Sequence, residues 1–392
     1  MAPNNRLKDN VCARIDGDRT SLVEFSHEIH AAPELAYEEF RSSELLAAAL
    51  DANGLKVERK AHGLETAFRA SAGRQGPHVA ICAEFDALPE IGHACGHNII
   101  GSSAVGAGIA LADVADDLGI RVTVLGTPAE EAGGGKVDLI EAGAFDDVDV
   151  ALMVHPGPME VVDMPTLAIV QLRVTYHGKE SHASAFPELG VNALDALNIS
   201  YTAISALRQH IKQTDRIHGI VTHGGDAPNI VPKRTSAEYY VRAETLEELE
   251  QLEGRVRKCF EAGALATGCE VEIEPRGHAY DRVVMNPTMG EIYDRNLTAL
   301  GRQAIPRSVV ERTAGSTDMG NVSRILPAIH PLMSIDSLPA VNHQAEFTAH
   351  CVSRAGDDAV IDAAKAMAMT VVDLATTDGA FEHVAEEFAA TR

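Results

Sequence analysis

A short apolar run, Val79-Ala-Ile-Cys-Ala83, passes without a break into a stretch crowded with reactive side chains. Glu84, Asp86, Glu90, His93, Cys95 and His97 all follow before Asn98. A run of that length reads as a buried strand. Open α/β sheets carry their sites just beyond the carboxyl ends of such strands. The same arrangement recurs twice. Arg121-Val-Thr-Val-Leu125 leads into Thr127-Pro-Ala-Glu130-Glu131, and Val148–Val154 leads into His155-Pro156. The intervening Ile99–Asp117 is small and Gly/Ala-rich and reads as a tightly packed helix. Another helix, over about 136–142, follows the break Gly133-Gly-Gly135. Strand and helix in alternation predict an open, mixed α/β domain.

Upstream, residues about 20–52 read as helix interrupted near Pro33, with Ser21 as a cap and Asn53-Gly54 as a stop. Near residue 165 the pattern changes. Leu167–His177 alternates like a half-exposed strand, Asn192–Ile211 is helical, and Ile217–Gly224 and Thr235–Ala243 read as strands. Thr245–Ala266 is an amphipathic helix, and Val271–Glu274 is a last strand. That order, β-α-β-β-α-β, is the ferredoxin-like unit. The chain is therefore expected to carry a discontinuous first domain, residues 1–165 and 283–392, with 166–282 inserted as the second.

The formal net charge is 33 minus 57, or −24, with no basic stripe, which excludes ordinary nucleic-acid binding. No apolar run approaches the roughly 20 residues that span a bilayer. The polar start, Met1 to Asn10, lacks the apolar core of a signal peptide, so the expected location is the cytoplasm. The six cysteines are scattered without a CxxC pair, and most are expected to have no chemical role.

Taken alone, Cys95-Gly-His97 reads as a small buried thiol and a core histidine. Glu130-Glu131 alone reads as a solvated loop, and a lone His155 as structural. Together with Val341-Asn-His343, they supply Cys, His, Glu, His and His at strand ends. That set is sufficient for one metal ion or for a pair sharing a ligand. Adjacent carboxylates suit a metal hydrolase, one binding metal while its neighbour takes a proton from water. The chain has no GxxxxGK[ST] phosphate loop, no GxSxG elbow and no HExxH helix.

The wording of these motifs resembles the aminoacylase/carboxypeptidase family of co-catalytic metallohydrolases, in its amidohydrolase branch. The matching text includes His27-Glu-Ile-His30-x-x-Pro-Glu-Leu, Asp86-Ala-Leu-Pro89, His93-Ala-Cys-Gly-His97 and Pro128-Ala-Glu-Glu131. Further on, it includes Gly178-Lys-Glu-Ser-His182, Asn229-Ile-Val-Pro232 and Gly315-Ser-Thr-Asp-Met-Gly320. The resemblance implies two divalent metal ions (zinc, manganese or cobalt) held by Cys95, His97, Glu131, His155 and His343, with His330 as the competitor for the last place. It implies Glu130 as general base, Asp86 as the residue orienting a ligand or the base, and Glu84 in a lesser supporting part. It implies His182 as an oxyanion donor and Asn229 and Arg242 as substrate-binding residues, with His223 a lesser candidate. The inserted domain becomes a lid and dimerisation domain, giving a homodimer or higher homo-oligomer. The implied substrate is a small N-acyl amino acid or dipeptide, hydrolysed at its amide, with neither nucleic acid nor membrane as partner. A deacetylase or desuccinylase of a biosynthetic N-acyl amino acid is the alternative enzyme. A non-catalytic amino-acid or peptide-binding protein is the alternative of another class. The continuation His97-Asn98, where many relatives place Asp, resembles the side of the family that holds aminobenzoyl-glutamate hydrolases and β-alanyl-lysine-type dipeptidases.

Overall fold

The computed structural model describes residues 3–311 and 314–391. It divides into two compact units, Met1–Pro165 with Val283–Arg392, and Thr166–Arg282.

The first unit is organised on one sheet. Its strands are β1 (Lys56–Arg59), β2 (Phe68–Ala72), β3 (His78–Ala83), β4 (Arg121–Gly126) and β5 (Val150–Leu152), completed by Ala328–Ile329 from beyond the insertion. The spatial order is β1-β2-β4-β3-β5 and then Ala328–Ile329. β3 runs parallel to both β4 and β5, while β1 and β2 form an antiparallel edge. Every residue of β3 is buried, as a strand covered on both faces requires. β1 and β2 escape the sequence reading because β1 is polar and largely exposed and β2 is short and small, leaving little periodicity.

The helices α1 (Pro3–Gly17), α2 (Arg19–Ala31) and α3 (Phe40–Ala52) precede the central strands. α1 was not anticipated from its polar composition, yet Val11 and Ile15 are spaced four apart and both are buried. α2 begins before the expected Ser21 cap, which falls inside the helix, and Asp18 flanks its start without a side-chain cap bond.

α4 (His97–Ala112) is buried along nearly its whole length and packs against α1, α2, β3, β4 and the helix Arg354–Thr376. A helix enclosed on all sides has no polar face. Its small residues allow that approach: a Cβ on Gly106 would lie 2.8 Å from Leu22 Cδ1, and one on Gly108 would lie 2.2 Å from Val124 Cγ2. Asn98 is fully buried, and its Nδ2 donates to Ser26 Oγ at 2.8 Å and to the Cys351 carbonyl at 3.2 Å. The Asn that distinguishes this chain therefore ties α4 to its neighbours.

The second unit is a four-stranded antiparallel sheet with two helices. β7 (Ala168–His177), β8 (Arg216–His223), β9 (Arg234–Ala243) and β10 (Glu270–Pro275) lie in the order β10-β7-β9-β8. α7 (Ala193–Leu207) is capped by Asn192 and α8 (Leu246–Thr267) by Thr245. Val174, Tyr176, Leu197, Tyr239, Val256 and Phe260 form its separate core. This is the β-α-β-β-α-β insertion that the alternation predicts. Among the described residues, no helix is long and apolar enough to cross a membrane.

The α4 packing gives a test. Gly108→Ala would gain about 1 kcal/mol of helix propensity. Val124 is β-branched and stiff, so the added methyl meets a neighbour that does not swing away. Overpacking typically costs about 1–3 kcal/mol and should win. The expected outcome is a lower denaturant midpoint for Gly108→Ala; a higher midpoint contradicts the packing argument.

Candidate metal centre

The parallel pairing of β3 with β4 brings two reactive loops side by side. Thr127 N donates to the Ala83 carbonyl at 2.8 Å, so Glu84-Phe-Asp86 and Glu130-Glu131 leave adjacent strand ends together. His155 comes from β6 (His155–Gly157), which pairs in parallel with Leu332–Ser334. Gly96 lets the Cys95-Gly-His97 turn approach His155-Pro156. Its φ is 85°, and a Cβ there would lie 2.5 Å from Pro156 Cγ. His343 holds its place by donating its backbone N–H to the Ala94 carbonyl at 2.9 Å, with a left-handed φ of 68°.

The donor atoms of Cys95, His97 and His155 lie within 4.8 Å of one another, as do those of Cys95, Glu131 and His343, and those of His97, Glu130 and Glu131. Cys95 Sγ is 3.5 Å from His155 Nε2. His97 Nε2 is 3.4 Å from Glu84 Oε2, 3.7 Å from Glu131 Oε1 and 4.0 Å from Glu130 Oε2. His343 Nε2 is 3.4 Å from Glu131 Oε1. The outer nitrogens are satisfied elsewhere. His97 Nδ1 donates to Asp86 Oδ1 at 2.9 Å, and His155 Nδ1 donates to the Pro156 carbonyl at 2.7 Å. Each bond occupies Nδ1 and turns Nε2 inward, where it can ligate once the ring is neutral. Asp86 Oδ2 meanwhile accepts from Glu131 N at 3.0 Å.

The electrostatics fit a cation. Glu84 Oε2, His97 Nε2 and Glu131 Oε1 are buried without a hydrogen-bond partner, although such atoms are normally paired. Burial pushes the Glu130 carboxyl well above its ordinary range, reinforced by Glu84, Glu131 and Asp318. Burial likewise raises the Cys95 thiol, with Glu131 adding to it. Burial lowers His155 to about 4, helped by His97. On Glu131 burial acts upward, but His343 and His97 hold it below the ordinary value. Acids forced to keep protons in the absence of a positive charge are what a divalent cation would discharge. Thiolate, imidazole and carboxylate together suit zinc-like metals.

A buried charge group that sequence reasoning did not single out adjoins these donors. Lys136 is fully buried, with Nζ 2.5 Å from Glu84 Oε1 and 2.7 Å from Asp318 Oδ1. Donor oxygens of Glu84, Glu130 and Asp318 lie within 4.8 Å of one another. Lys136 holds Glu84 at about 2 against the opposing effect of burial. The signal for Lys136 was its position one residue after a glycine break, which reads as an ordinary solvated lysine. Asn342 was also passed over; its Nδ2 donates to the Cys95 carbonyl at 3.3 Å and the Pro156 carbonyl at 3.2 Å. His330 packs against His155 with ring centroids 5.5 Å apart and planes tilted by 48°, and joins none of the donor groups formed by the described residues.

His182, Asn229 and Arg242 lie in the second unit. His182 is exposed, and its Nδ1 accepts from Ala185 N at 3.2 Å and Ser184 N at 3.3 Å, which leaves the proton on Nε2. Asn229 is exposed, and its carbonyl accepts from Ala183 N at 3.0 Å. Arg242 is half-buried on β9, its guanidinium 6.0 Å from the Tyr240 ring centroid, and burial lowers its pKa. His223 Nε2 lies 3.8 Å from Asp226 Oδ1.

Comparison with known proteins agrees with the fold. Residues 168–267 match the model of a peptidase dimerisation domain of the M20 type. The chain is 43% identical to a mouse (Mus musculus) Xaa-Arg dipeptidase, over 97% of this chain and 92% of that protein. It is 38% identical to the human (Homo sapiens) Xaa-Arg dipeptidase, over 98% of this chain and 92% of that protein. A solved Bacillus subtilis structure, described as a dinuclear metal-binding peptidase from the M20 family, superposes with a TM-score of 0.67 at 21% identity, covering 92% of this chain and 99% of that one. The 43% and 38% identities through almost the whole length, with the match of the inserted domain, place this chain in the M20 peptidase family.

Proposed function

We propose that this protein is a metal-dependent amidohydrolase that cleaves a dipeptide or an N-acyl amino acid. The observation that carries the reading is the convergence of Cys95, His97, Glu131, His155 and His343 on one locus, enclosed except at the exposed His343, that also contains Glu130. Cys95, His97 and Glu131 each belong to two of the donor trios, so the set would suit a pair of divalent ions rather than one. Such ions, when bound, lower the pKa of water and polarise the scissile carbonyl.

The chain's own residues supply the rest. Glu130 accepts the proton of the attacking water and returns it to the leaving amine. Asp86 keeps His97 in its ligating tautomer and holds the Glu131 backbone, so one carboxylate sets two ligands. His182 presents an Nε2–H, the donor an oxyanion requires; losing such a donor typically costs about 10²–10³-fold in rate. Arg242 and Asn229 are assigned to the substrate's carboxylate and amide groups, a use for which the guanidinium fork is suited. A dipeptide ending in a basic residue is the first substrate to test, because the similar mouse and human proteins are Xaa-Arg dipeptidases. The net charge of −24 favours a cationic substrate at long range.

The second unit is assigned to dimer formation. β8 lies at the edge of its sheet, with Ile220 67% and Val221 50% exposed. An exposed apolar edge strand invites pairing with another copy. Sedimentation at micromolar concentration should give a dimer, and Ile220→Lys should shift it towards monomer. A monomeric starting protein overturns this assignment.

The test of the activity is hydrolysis of a panel of Xaa-Arg, Xaa-Lys and N-acyl-amino-acid substrates by metal-loaded protein. Glu130→Gln should bind the full complement of metal yet lose turnover by about 10²–10⁴-fold. Near-normal turnover in that variant removes Glu130 from the role. A loaded protein inactive on the entire panel favours a binding function instead.

Lys136 serves as the permanent counter-charge of the site, allowing Glu84 and Asp318 to remain buried. Removing one partner of a buried ion pair typically costs about 3–5 kcal/mol. Lys136→Met should lower the stability of the metal-free protein by that order, measured as a denaturant midpoint. An unchanged midpoint would show that the two carboxylates do not need it.

A further inference from the structure

The stretch from Pro33 to Glu39, part of a motif visible in the sequence, has no place in the reaction described above. It joins α2 to α3, and its groups reach two loops of the candidate centre and the helix Gly135–Glu141 that follows the second. The Glu34 carbonyl accepts from Ala87 N at 2.8 Å, next to Asp86. Tyr37, at a left-handed φ of 64°, donates its hydroxyl to Asp138 Oδ2 at 2.6 Å. Its ring fills the space beside Gly133, where a Cβ would lie 2.4 Å from Tyr37 Cε2.

Glu39 is the most informative of these residues. Its side chain is fully buried. Oε2 accepts from Thr66 Oγ1 at 2.9 Å, and Oε1 accepts from Ala129 N at 2.8 Å. Ala129 immediately precedes Glu130 and has a φ of 61°. That left-handed conformation is unfavourable for a residue with a Cβ, so something must hold it. The Ala129 carbonyl accepts from Gly134 N at 2.8 Å and Gly133 N at 3.2 Å, closing the loop on one side. Glu39 holds the amide on the other.

We infer that Glu39 is a positioning residue for Glu130, fixing the strained Ala129 peptide so that the base points into the donor cluster. The inference rests on the reading of Glu130 as general base. It requires an acceptor oxygen at Glu39 rather than a negative charge. Burial, with Asp86 second, pushes the Glu39 carboxyl up to about 7, so its neutral form is already substantial near neutral pH. Glutamine retains the oxygen facing Ala129 N, and its amide can donate to Thr66 Oγ1.

The experiment compares Glu39→Leu, Glu39→Gln and Glu130→Gln, reading kcat, KM and bound metal for each. Glu39→Leu leaves the Ala129 amide unanswered and frees the peptide. A misplacement of about 1 Å can cost 10²-fold, so kcat should fall by about that factor while KM and metal content stay close to those of the unaltered protein. Glu39→Gln should restore most of the loss. Adding Ala129→Gly to Glu39→Leu should recover part of kcat, because glycine enters the left-handed region without strain; a merely structural role for Glu39 would yield no such recovery. If Glu39→Leu does not fold, Glu39→Ala, in which water can reach the Ala129 amide, takes its place with the same expectation.

Full kcat in the folded Leu or Ala variant overturns the inference. So does a Gln variant that falls as far as Leu. Loss of metal in step with kcat overturns it too, since Glu39 would then support the ligands. An inactive Glu130→Gln beside a fully active Glu39→Leu removes this inference alone. An active Glu130→Gln removes the base reading and this inference with it.

Discussion

Asp86 is the contact on which the rest of the site depends. It is one buried carboxylate with both oxygens committed, Oδ1 to His97 Nδ1 at 2.9 Å and Oδ2 to Glu131 N at 3.0 Å. His97 opens α4 and Glu131 follows β4, so the two are separated along the chain by the rest of α4 and the whole of β4. A bond to the outer nitrogen of a ligating histidine sets its tautomer and the direction of its lone pair. Here the same carboxylate also holds the backbone from which the Glu131 side chain projects into the donor cluster. The sheet makes this possible. β3 and β4 are parallel and end together, so one short side chain spans the gap between their loops.

The site gathers more acid than its surroundings can neutralise. Glu84, Asp86, Glu130, Asp318 and the Cys95 thiol are all buried, with Glu131 beside them. Isolated buried charge is costly, so each group must be paired, protonated or discharged by a cation. Lys136 answers for Glu84 and in part for Asp318, which burial still pushes up to about 6. His97, raised well above its usual value despite its burial, answers in part for Asp86, Cys95 and Glu84. Glu130 and Cys95 are left over, and both are pushed upward. The fold therefore builds in one permanent cation and leaves the balance to ions from outside. Glu130 and Cys95 are thus the groups whose charge would respond to a bound cation.

The sequence revealed the parts of this arrangement that rest on local pattern. β3, β4 and β5 are short apolar runs, and the groups that matter follow each of them directly, so the candidate ligands could be named before their geometry was known. The inserted unit was legible for the same reason, since its strands alternate and its helices α7 and α8 carry Asn192 and Thr245 as caps. What escaped was relational. Lys136 looks like a surface lysine until Glu84 and Asp318 are seen against it. Glu39 looks like an exposed helix-start acid until the loop over Ala129 buries it. α1 escaped because two buried residues per helix are too few to stand out against a polar background.

Three residues other than glycine hold left-handed backbone beside the site. Tyr37, Ala129 and His343 all have positive φ, and each belongs to a segment that borders the donor cluster. Such residues persist only where their surroundings over-determine them. Each is held by an identifiable bond: Tyr37 by Asp138, Ala129 by Glu39 and the glycine amides, and His343 by the Ala94 carbonyl. The glycines nearby have the opposite task. Gly96 and Gly133 permit close approach, with Pro156 and Tyr37 filling the space that a Cβ would need. Approach without a side chain brings the loops together, and strain held by hydrogen bonds then aims the groups they carry. Both depend on the rigid parallel strands beneath, which is why a site assembled from distant parts of the chain can keep donor atoms within a few ångströms of one another.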